Sequence, residues 1–333
     1  MHINPYLRTL WMIARPRTLL LISLQGILGY VFLTNKIPNV LDSVFAILCI
    51  IFAYMHAVAV NDISDEEVDK LNKKFLEQDN DRPLLDKTLT TKQLWVLLYC
   101  IGVAWIAVSV FISWAALFAT IILIALNFIY SLPPIRLSSR GLLAQLSLPI
   151  MYVVYPLFLA VELAGRINVN YLLLVICLYI AFVGRLFLKD IRDEKGDAEA
   201  GKLTFVVRHG VKLTLLWATI CICAGIIGLG CIIFSRTNSI IPLLVAIAAS
   251  AGVIFVGKVC YSQELLSRKL LDVAIIGRLV SAIVFISLLT VGLSYEPIEM
   301  WQVVLLQVFA IIIFAFGVVT LQEEKNTQLK YDK

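Results

Sequence analysis

Two short acidic segments carry the side chains best suited to chemistry. The first is 61–69, Asn-Asp-Ile-Ser-Asp-Glu-Glu-Val-Asp, and the second is 189–197, Lys-Asp-Ile-Arg-Asp-Glu-Lys-Gly-Asp. They align without gaps at an offset of 128 residues, and an Asp, an Ile, an Asp, a Glu and an Asp coincide. This match indicates an internal repeat in which two halves of the chain present the same acidic face.

The spacing within each segment predicts a cation-binding surface. Each segment places three aspartates at i, i+3 and i+7, which share one face of a helix; they are Asp62, Asp65 and Asp69, and Asp190, Asp193 and Asp197. Like charges on one face destabilise a helix, so a cation is expected to neutralise them. Mg²⁺ takes one or two protein carboxylates and fills its shell with water and phosphate oxygens. The two segments are therefore expected to hold a metal-bridged diphosphate.

Basic residues accompany both segments. Those around the second segment are Arg185, Lys189, Arg192 and Lys202, and those after the first are Lys73, Lys74 and Arg82. A departing diphosphate needs its charge neutralised, which metals and basic side chains do. The alternative is a solvated charged rim at a membrane surface. Two matching clusters at equivalent helix ends argue against it.

The elements that carry these segments are predicted to be membrane-spanning helices. The chain has 333 residues, 60% hydrophobic and 15% charged, which is too little charge for a soluble protein. Ten apolar stretches approach the roughly 20 residues needed to cross a bilayer, where only helices satisfy the backbone. They are 18–34, 42–61, 93–112, 114–130, 142–161, 169–188, 213–234, 240–257, 273–293 and 301–320.

The basic residues predict the orientation of these spans. With the N-terminus inside and ten crossings, all but three of the 28 Lys and Arg residues fall on the inner side. The exceptions are Lys36, Arg166 and Arg236. Such asymmetry is the signal that orients membrane proteins. It places both acidic segments and both termini in the cytoplasm. It also accounts for the net charge of +5 without nucleic acid.

These residues resemble the UbiA-type intramembrane prenyltransferase superfamily. Its first motif, Asn-x-x-x-Asp-x-x-x-Asp, is matched by Asn61, Asp65 and Asp69, and its second, Asp-x-x-x-Asp, by Asp193 and Asp197. Further similarities are the elements Arg15-Pro16 and Arg82-Pro83 and the loop at 130–137. The resemblance covers roughly residues 10–295.

The resemblance implies an all-α polytopic bundle of nine core transmembrane helices around a central cavity, to which this chain adds a tenth. It divides the chain into a prenyltransferase domain at 1–295, built of two pseudo-repeated halves, and a C-terminal helix and tail at 296–333. A multi-pass protein of the cell membrane is implied, in bacteria the inner membrane. Residues 75–80 look inserted between the first motif and Arg82.

The resemblance also implies the roles of individual residues. Mg²⁺ and a prenyl diphosphate would be bound by Asn61, Asp65, Asp69, Asp193 and Asp197, with Asp65, Asp69, Asp193 and Asp197 as metal ligands. The candidates for contact with diphosphate oxygens are Lys189, Arg136, Arg192 and Lys202. Asp190 is either the base that removes a proton or a further metal ligand. The acceptor in this family is most often an aromatic ring of a quinone or tocopherol precursor, and the surrounding partner is membrane lipid.

Two other functions remain open at this stage. A UbiA-type terpene cyclase would use the same diphosphate site but capture the cation with an internal double bond. A cation transporter would use the acids to coordinate ions, although transporters usually place such sites near the bilayer midplane. Within the spans, His56, Asn127 and Gln145 are interpreted as polar contacts between helices.

Overall fold

The regular structure of this protein is helical. A computed structural model describes residues 4–76 and 82–262. Within these residues, regular structure other than helix is limited to one isolated bridge between Arg140 and Leu203. The helices are α1 Pro5–Ala14, α2 Pro16–Thr34, α3 Val40–Ser64, α4 Glu66–Leu76, α5 Thr91–Val110, α6 Trp114–Ser131, α7 Leu142–Pro149, α8 Tyr155–Ala164, α9 Val169–Glu199, α10 Phe205–Thr237 and α11 Ile241–Ser262.

The hydropathy pattern predicts these helices well. Each of the first eight predicted spans falls on a helix, and the boundary expected near Ser113 is real, because the Ser113 side chain caps α6 by accepting from the N–H of Ala116. Seven helical segments in the described residues are long and apolar enough to cross a membrane, and the bent pair α1–α2 would be an eighth. The predicted spans 273–293 and 301–320 lie outside the described residues.

One span contains a local widening of the helix. α7 ends at Pro149, which has no backbone N–H to donate, and a π-helical turn, Ile150–Val154, joins it to α8. Such turns often mark functional positions in membrane and soluble proteins. Here the turn aims Tyr152 at Tyr54 of α3.

The described chain divides into two compact units. The first comprises 4–27, 38–76, 82–163 and 195–207, and the second comprises 28–37, 164–194 and 208–262. In the first unit α3 packs against α1, α5 and α6. Its core is apolar and includes Cys49, Ala59, Leu94, Leu98 and Leu159.

Polar side chains inside the first unit are paired with one another. The Trp105 Nε1–H donates to the Tyr155 hydroxyl over 2.8 Å, and Thr120 Oγ1 lies 3.2 Å from the same hydroxyl. His56 Nδ1 lies 3.1 Å from Asn127 Nδ2. The structure therefore supports the interpretation of His56 and Asn127 as contacts between helices.

In the second unit, α9 and α10 approach closely through glycines. A Cβ at Gly184 would stand 2.7 Å from the Ala218 carbonyl oxygen, and one at Gly225 would stand 2.5 Å from the Cys177 carbonyl oxygen. Neither position therefore admits a larger side chain without movement of the backbone. Small residues at such crossings are typical of membrane helix pairs.

Candidate active site

The first acidic motif keeps its three aspartates on one face although a helix boundary passes through it. Asp65 is the residue between α3 and α4, and its N–H donates to the Asn61 carbonyl over 2.8 Å. The Asp69 N–H then donates to the Asp65 carbonyl, also over 2.8 Å. The helical hydrogen-bond ladder thus continues across the junction. The spacing predicts a shared face for Asp62, Asp65 and Asp69, and all three are buried, while Asn61 is half-buried.

Two cations bind Asp65 from two distant parts of the chain. Arg136 Nη2 donates to Asp65 Oδ1 over 2.7 Å, and Lys202 Nζ donates to Oδ2 over 2.8 Å. Both cations were predicted from the sequence as diphosphate-contacting residues, and the structure brings both to the first motif. Arg136 Nη2 also reaches the Ser64 carbonyl at 3.4 Å, at the end of α3.

The two loops that carry those cations are hydrogen-bonded to each other. The segment after α6 and the segment after α9 meet where the Gly141 N–H donates to the Leu203 carbonyl over 3.0 Å. Gly201, at φ 70°, turns the chain so that the Lys202 N–H donates to the Asp197 carbonyl over 2.8 Å. This positive φ favours glycine. The end of the second motif is thereby tied to the loop that carries Arg136.

Arginines also bind the other two aspartates of the motif. Arg82 Nη1 donates to Asp62 Oδ1 over 2.8 Å and forms an ion pair with Asp69 Oδ2. Arg15 Nη2 lies 3.6 Å from Asp62 Oδ1. Sequence reasoning noted both arginines but did not assign them to the site. The signal that could have assigned them to the site is that each begins an Arg-Pro element, Arg15-Pro16 and Arg82-Pro83.

These neighbours give Asp65 and Asp69 different proton affinities. Burial alone would raise the pKa of Asp65, but the charges and hydrogen bonds of Lys202 and Arg136 outweigh it and the pKa is lowered. Burial raises the pKa of Asp69 to about 7, and the carboxylates of Asp62 and Asp65 add to this rise while Arg82 and Lys202 oppose it. One carboxyl is thus held charged, and the other is about half protonated near pH 7.

A direct contact joins the helix of the first motif to the second motif. Asn72, on α4 one turn after Asp69, is buried, and a Cβ added at Gly196 would stand only 1.8 Å from Asn72 Oδ1. The contact therefore requires glycine immediately before Asp197, which is itself buried. Sequence reasoning did not single out Asn72, although it continues the acidic face at i+3 from Asp69.

The remaining residues of the second motif lie on α9 in the second unit. The helix is continuous from Val169 to Glu199, so Asp190, Asp193 and Asp197 share a helical face as predicted. Asp190 and Asp193 are half-buried and Lys189 is exposed. Arg192 lies on the same helix. That Asp190, Asp193, Lys189 and Arg192 face the first motif remains a prediction.

The donor set of the first motif fits Mg²⁺. In the described residues, no three His, Cys, Asp or Glu side chains converge to hold a metal by themselves. Mg²⁺ does not need three, because it binds through one or two carboxylates together with water and substrate phosphates. Asp65 and Asp69 provide two buried carboxylates one turn apart, with cations beside them that suit a phosphate. Together with Asp193 and Asp197, they remain the predicted ligands.

Comparison with curated proteins finds digeranylgeranylglyceryl phosphate synthases among the relatives. The chain is 28% identical over 212 residues to the digeranylgeranylglyceryl phosphate synthase of Pyrococcus horikoshii, which covers 62% of this chain and 71% of that protein. It is 25% identical over 224 residues to the digeranylgeranylglyceryl phosphate synthase of Methanocaldococcus jannaschii, covering 66% and 74%. These relatives give no support to the expected quinone or tocopherol acceptor.

Solved structures share the fold. A structure concerned with digeranylgeranylglyceryl phosphate synthase in membranes aligns with a TM-score of 0.63 at 19% identity, covering 86% of this chain and 98% of that one. A UbiA homologue from Archaeoglobus fulgidus, bound to GPP and Mg²⁺, aligns with a TM-score of 0.61 at 16% identity, covering 84% and 99%. These likenesses support the all-helical class.

The match to a family is direct and extensive. Residues 22–264, well over half of the chain, match the model of the UbiA prenyltransferase family. This range contains both acidic motifs, Arg136 and Lys202, and it confirms the resemblance drawn from the motifs. It also removes the cation transporter from consideration, because the relatives are transferases. The chain therefore belongs to the UbiA prenyltransferase family and is an integral, multi-pass membrane prenyltransferase.

Proposed function

We propose that this protein transfers a prenyl group from a prenyl diphosphate to a glyceryl phosphate-type lipid acceptor inside the membrane, with Mg²⁺ at the paired motifs. The observation that carries the proposal is the environment of Asp65. A buried carboxylate at the end of α3 is bound by Arg136 and Lys202 from two loops that are themselves hydrogen-bonded together. That arrangement supports binding of a metal-bridged anion at this end of α3.

The reaction breaks the bond between C1 of the prenyl group and the diphosphate oxygen. When bound, Mg²⁺ would supply charge neutralisation for the leaving diphosphate. Arg136 and Lys202, which bind Asp65, are placed to donate to phosphate oxygens as negative charge develops. An oxygen or carbon of the acceptor then forms the new bond to C1, and the acceptor loses one proton. Asp190 is the proposed base for that proton.

The acceptor class rests on the relatives. Both relatives compared above are named for a product that carries two geranylgeranyl groups on glyceryl phosphate. A phosphate on the acceptor fits a site with four cations, Arg15, Arg82, Arg136 and Lys202, around three aspartates. A geranylgeranyl donor follows from the same names.

The interior of the first unit offers an apolar path for the prenyl tail. Apolar and tyrosine side chains lie together there: Ile22, Ile50, Ala53, Tyr54, Met151, Tyr152 and Tyr155. Tyr54 lies eleven residues before Asp65, so this cluster is about 16 Å along α3 from the motif. A long tail that leaves the site and follows α3 inward would meet these side chains, two of which belong to the π-helical turn.

Orientation follows from charge. The motif end of α3 lies with the cytoplasmic side if the basic residues are retained there. Donor and acceptor would then both enter from the cytoplasmic leaflet, with their apolar chains in lipid and their phosphates at the membrane surface.

The test is an assay of purified protein in lipid nanodiscs. Geranylgeranyl or farnesyl diphosphate is supplied with Mg²⁺ and either geranylgeranylglyceryl phosphate or an aromatic acceptor such as homogentisate. The proposal predicts Mg²⁺-dependent formation of the doubly prenylated glyceryl phosphate with release of diphosphate. Prenylation of homogentisate alone would overturn the acceptor class. Hydrocarbon formed without any acceptor would indicate a cyclase.

Matched variants separate chemistry from folding. Asp65→Asn keeps the shape of the side chain but removes the charge that Arg136 and Lys202 bind, and it should lower turnover by at least about a hundredfold. Glu67→Gln changes an acid whose side chain is 84% exposed two residues away, and it should retain turnover. Equal activity in the two variants would contradict the assignment.

A further inference from the structure

Asp62 has surroundings that the metal-binding role of its neighbours does not explain. It lies one turn before Asp65 on α3, and it is 3% exposed. Its Oδ1 atom accepts from Arg82 over 2.8 Å and lies 3.6 Å from an Arg15 nitrogen. A buried carboxylate is tolerated when cations pair with it. Two such cations, Arg82 and Arg15, lie against one oxygen of Asp62.

Both arginines lie outside the helices. Arg15 follows the last residue of α1 and has a φ of 40°. Arg82 precedes a turn and lies twenty residues after Asp62. A guanidinium recognises phosphate by a planar set of donors, so its direction matters as well as its charge. The shared contact of both arginines is the Asp62 carboxylate.

The cations of the site fall into two pairs. Arg136 and Lys202 bind Asp65, which is a predicted metal ligand. Arg15 and Arg82 bind Asp62. Arg82 also forms an ion pair with Asp69, so Asp62 is the carboxylate that holds both arginines at the edge of the metal-binding pair.

We propose that Asp62 is a positioning residue that holds Arg15 and Arg82 beside the metal-binding aspartates, where both guanidiniums receive the diphosphate of the donor. The proposal rests on the proposed function, since it assumes that a prenyl diphosphate binds at Asp65 and Asp69. It assigns Asp62 a task that differs from metal ligation. It makes Asp62 the carboxylate that Arg15 and Arg82 share, while Arg82 also pairs with Asp69.

The test measures donor and metal separately in Asp62→Ala and Asp62→Asn. Three readouts are needed: the KM for geranylgeranyl diphosphate, the dissociation constant of inorganic diphosphate with Mg²⁺, and the Mg²⁺ concentration that gives half-maximal rate. Asp62→Ala should weaken both diphosphate measures about tenfold, the scale of one charge-assisted contact, and leave the Mg²⁺ requirement unchanged. Asp62→Asn, which keeps an acceptor for the arginines, should lie between Asp62→Ala and the unmutated protein.

A double-mutant comparison makes the proposal falsifiable. In an Arg15→Ala/Arg82→Ala background, Asp62→Ala should cause no further loss of diphosphate affinity, because Asp62 is proposed to act only through those two arginines. A tenfold loss of diphosphate affinity in that background would overturn the proposal. An Asp62→Ala variant whose Mg²⁺ requirement rises together with its KM would also overturn it. So would an Asp62→Ala variant with a lowered unfolding temperature and an unchanged KM. Asp42→Asn, at the other end of α3, is the control for charge removal.

The proposed function fails in a different way. If the unmutated protein shows no Mg²⁺-dependent affinity for diphosphate, the assumption behind the proposal is wrong. If the unmutated protein binds normally and the variants deviate from the pattern above, only the role of Asp62 is wrong.

Discussion

At the scale of residues, Asp65 and Asp69 occupy one helical face but hold protons differently. Arg136 and Lys202 keep Asp65 charged and lower its pKa. Burial raises the pKa of Asp69 to about 7. Arg82 forms an ion pair with Asp69 and also binds Asp62. A metal that binds both carboxylates therefore has to displace a cation from one and a proton from the other.

The pKa of Asp69 predicts a pH-dependent Mg²⁺ affinity. Below about pH 7 the side chain is mostly protonated and must release that proton on metal binding, so protons compete with Mg²⁺. Affinity for Mg²⁺ should therefore rise as the pH increases from about 6 to about 8. Calorimetric titration in two buffers of different ionisation enthalpy would detect the released proton.

The Asp69→Asn variant is the control for this dependence. It cannot release that proton, so its residual Mg²⁺ affinity should vary less over the same pH range. An equal pH dependence in the variant would assign the proton to another group.

Sequence spacing predicted which aspartates share a face, because helical periodicity is a local property. It also selected Arg136 and Lys202, through the family motifs and the surplus of basic residues. It did not pair Asp62 with Arg15 and Arg82. Those contacts join positions 47 and 20 residues apart in the chain, and no local pattern encodes them.

At the scale of elements, the crossing of α4 with the end of α9 links the two motifs. Asn72 occupies the space that a side chain at position 196 would need. This contact belongs to the first unit, so it supports the idea that at least Asp197 of the second motif lies near the first.

Gly196→Ala should therefore disrupt the site. The new Cβ would stand 1.8 Å from Asn72 Oδ1 and 3.0 Å from the Asn72 Cα, so the buried Asn72 side chain or one of the two helices must move, and core overpacking typically costs about 1–3 kcal/mol. We expect at least a tenfold loss of turnover, about 1.4 kcal/mol in the barrier. Assays of turnover and of unfolding temperature measure the two effects.

Two variants control for the change of residue. Gly252→Ala, where a Cβ meets nothing within 4 Å, should be neutral. Asn72→Ala combined with Gly196→Ala should recover part of the loss. Full activity in Gly196→Ala alone would contradict the described crossing.

The basic residues predicted on the outer side have structural partners in the second unit. Arg166 Nη2 donates to the Leu33 carbonyl over 2.6 Å, and Arg236 Nη2 donates to Asn35 Oδ1 over 3.0 Å. The Arg236 guanidinium also lies 4.1 Å from the centre of the Phe32 ring. Both arginines thus close the C-terminal end of α2, where carbonyls lack partners within the helix. These contacts account for two of the three exceptions to the charge asymmetry.

Arg236→Ala should lower stability without touching the chemistry. The lost hydrogen bond and cation–π contact should lower the free energy of unfolding by about 1–2 kcal/mol. The unfolding temperature in detergent should fall by a few degrees, at unchanged KM for the donor. Lys36→Ala, an exposed base at the same end of α2, should leave the unfolding temperature unchanged; equal effects would show that charge alone matters there.

Hydropathy predicted the long helices because crossing a bilayer demands long apolar runs. It did not predict α1 or α4. Both are short and amphipathic or charged, and α1 buries only one face, at Thr9, Met12 and Ile13. The π-helical turn at 150–154 was also missed, because Pro149 signals a break without specifying how the helix resumes.

At the scale of the whole molecule, family and chemistry are separable questions. The paired motifs pointed to the family through the spacing of their acids, which we propose to bind a metal and a diphosphate. They carry no information on the acceptor, which meets other surfaces of the site. For that reason the expected aromatic acceptor found no support, and the relatives point to a glyceryl phosphate instead.

The central claim is that the first motif and its cations bind the donor through Mg²⁺. The most direct measurement is titration of a non-hydrolysable geranylgeranyl thiodiphosphate into purified protein, with and without Mg²⁺, for the unmutated chain and for Asp65→Asn. We predict binding that is at least about tenfold tighter with Mg²⁺ and that Asp65→Asn loses this gain. Affinity independent of Mg²⁺, or retained in Asp65→Asn, would contradict the claim.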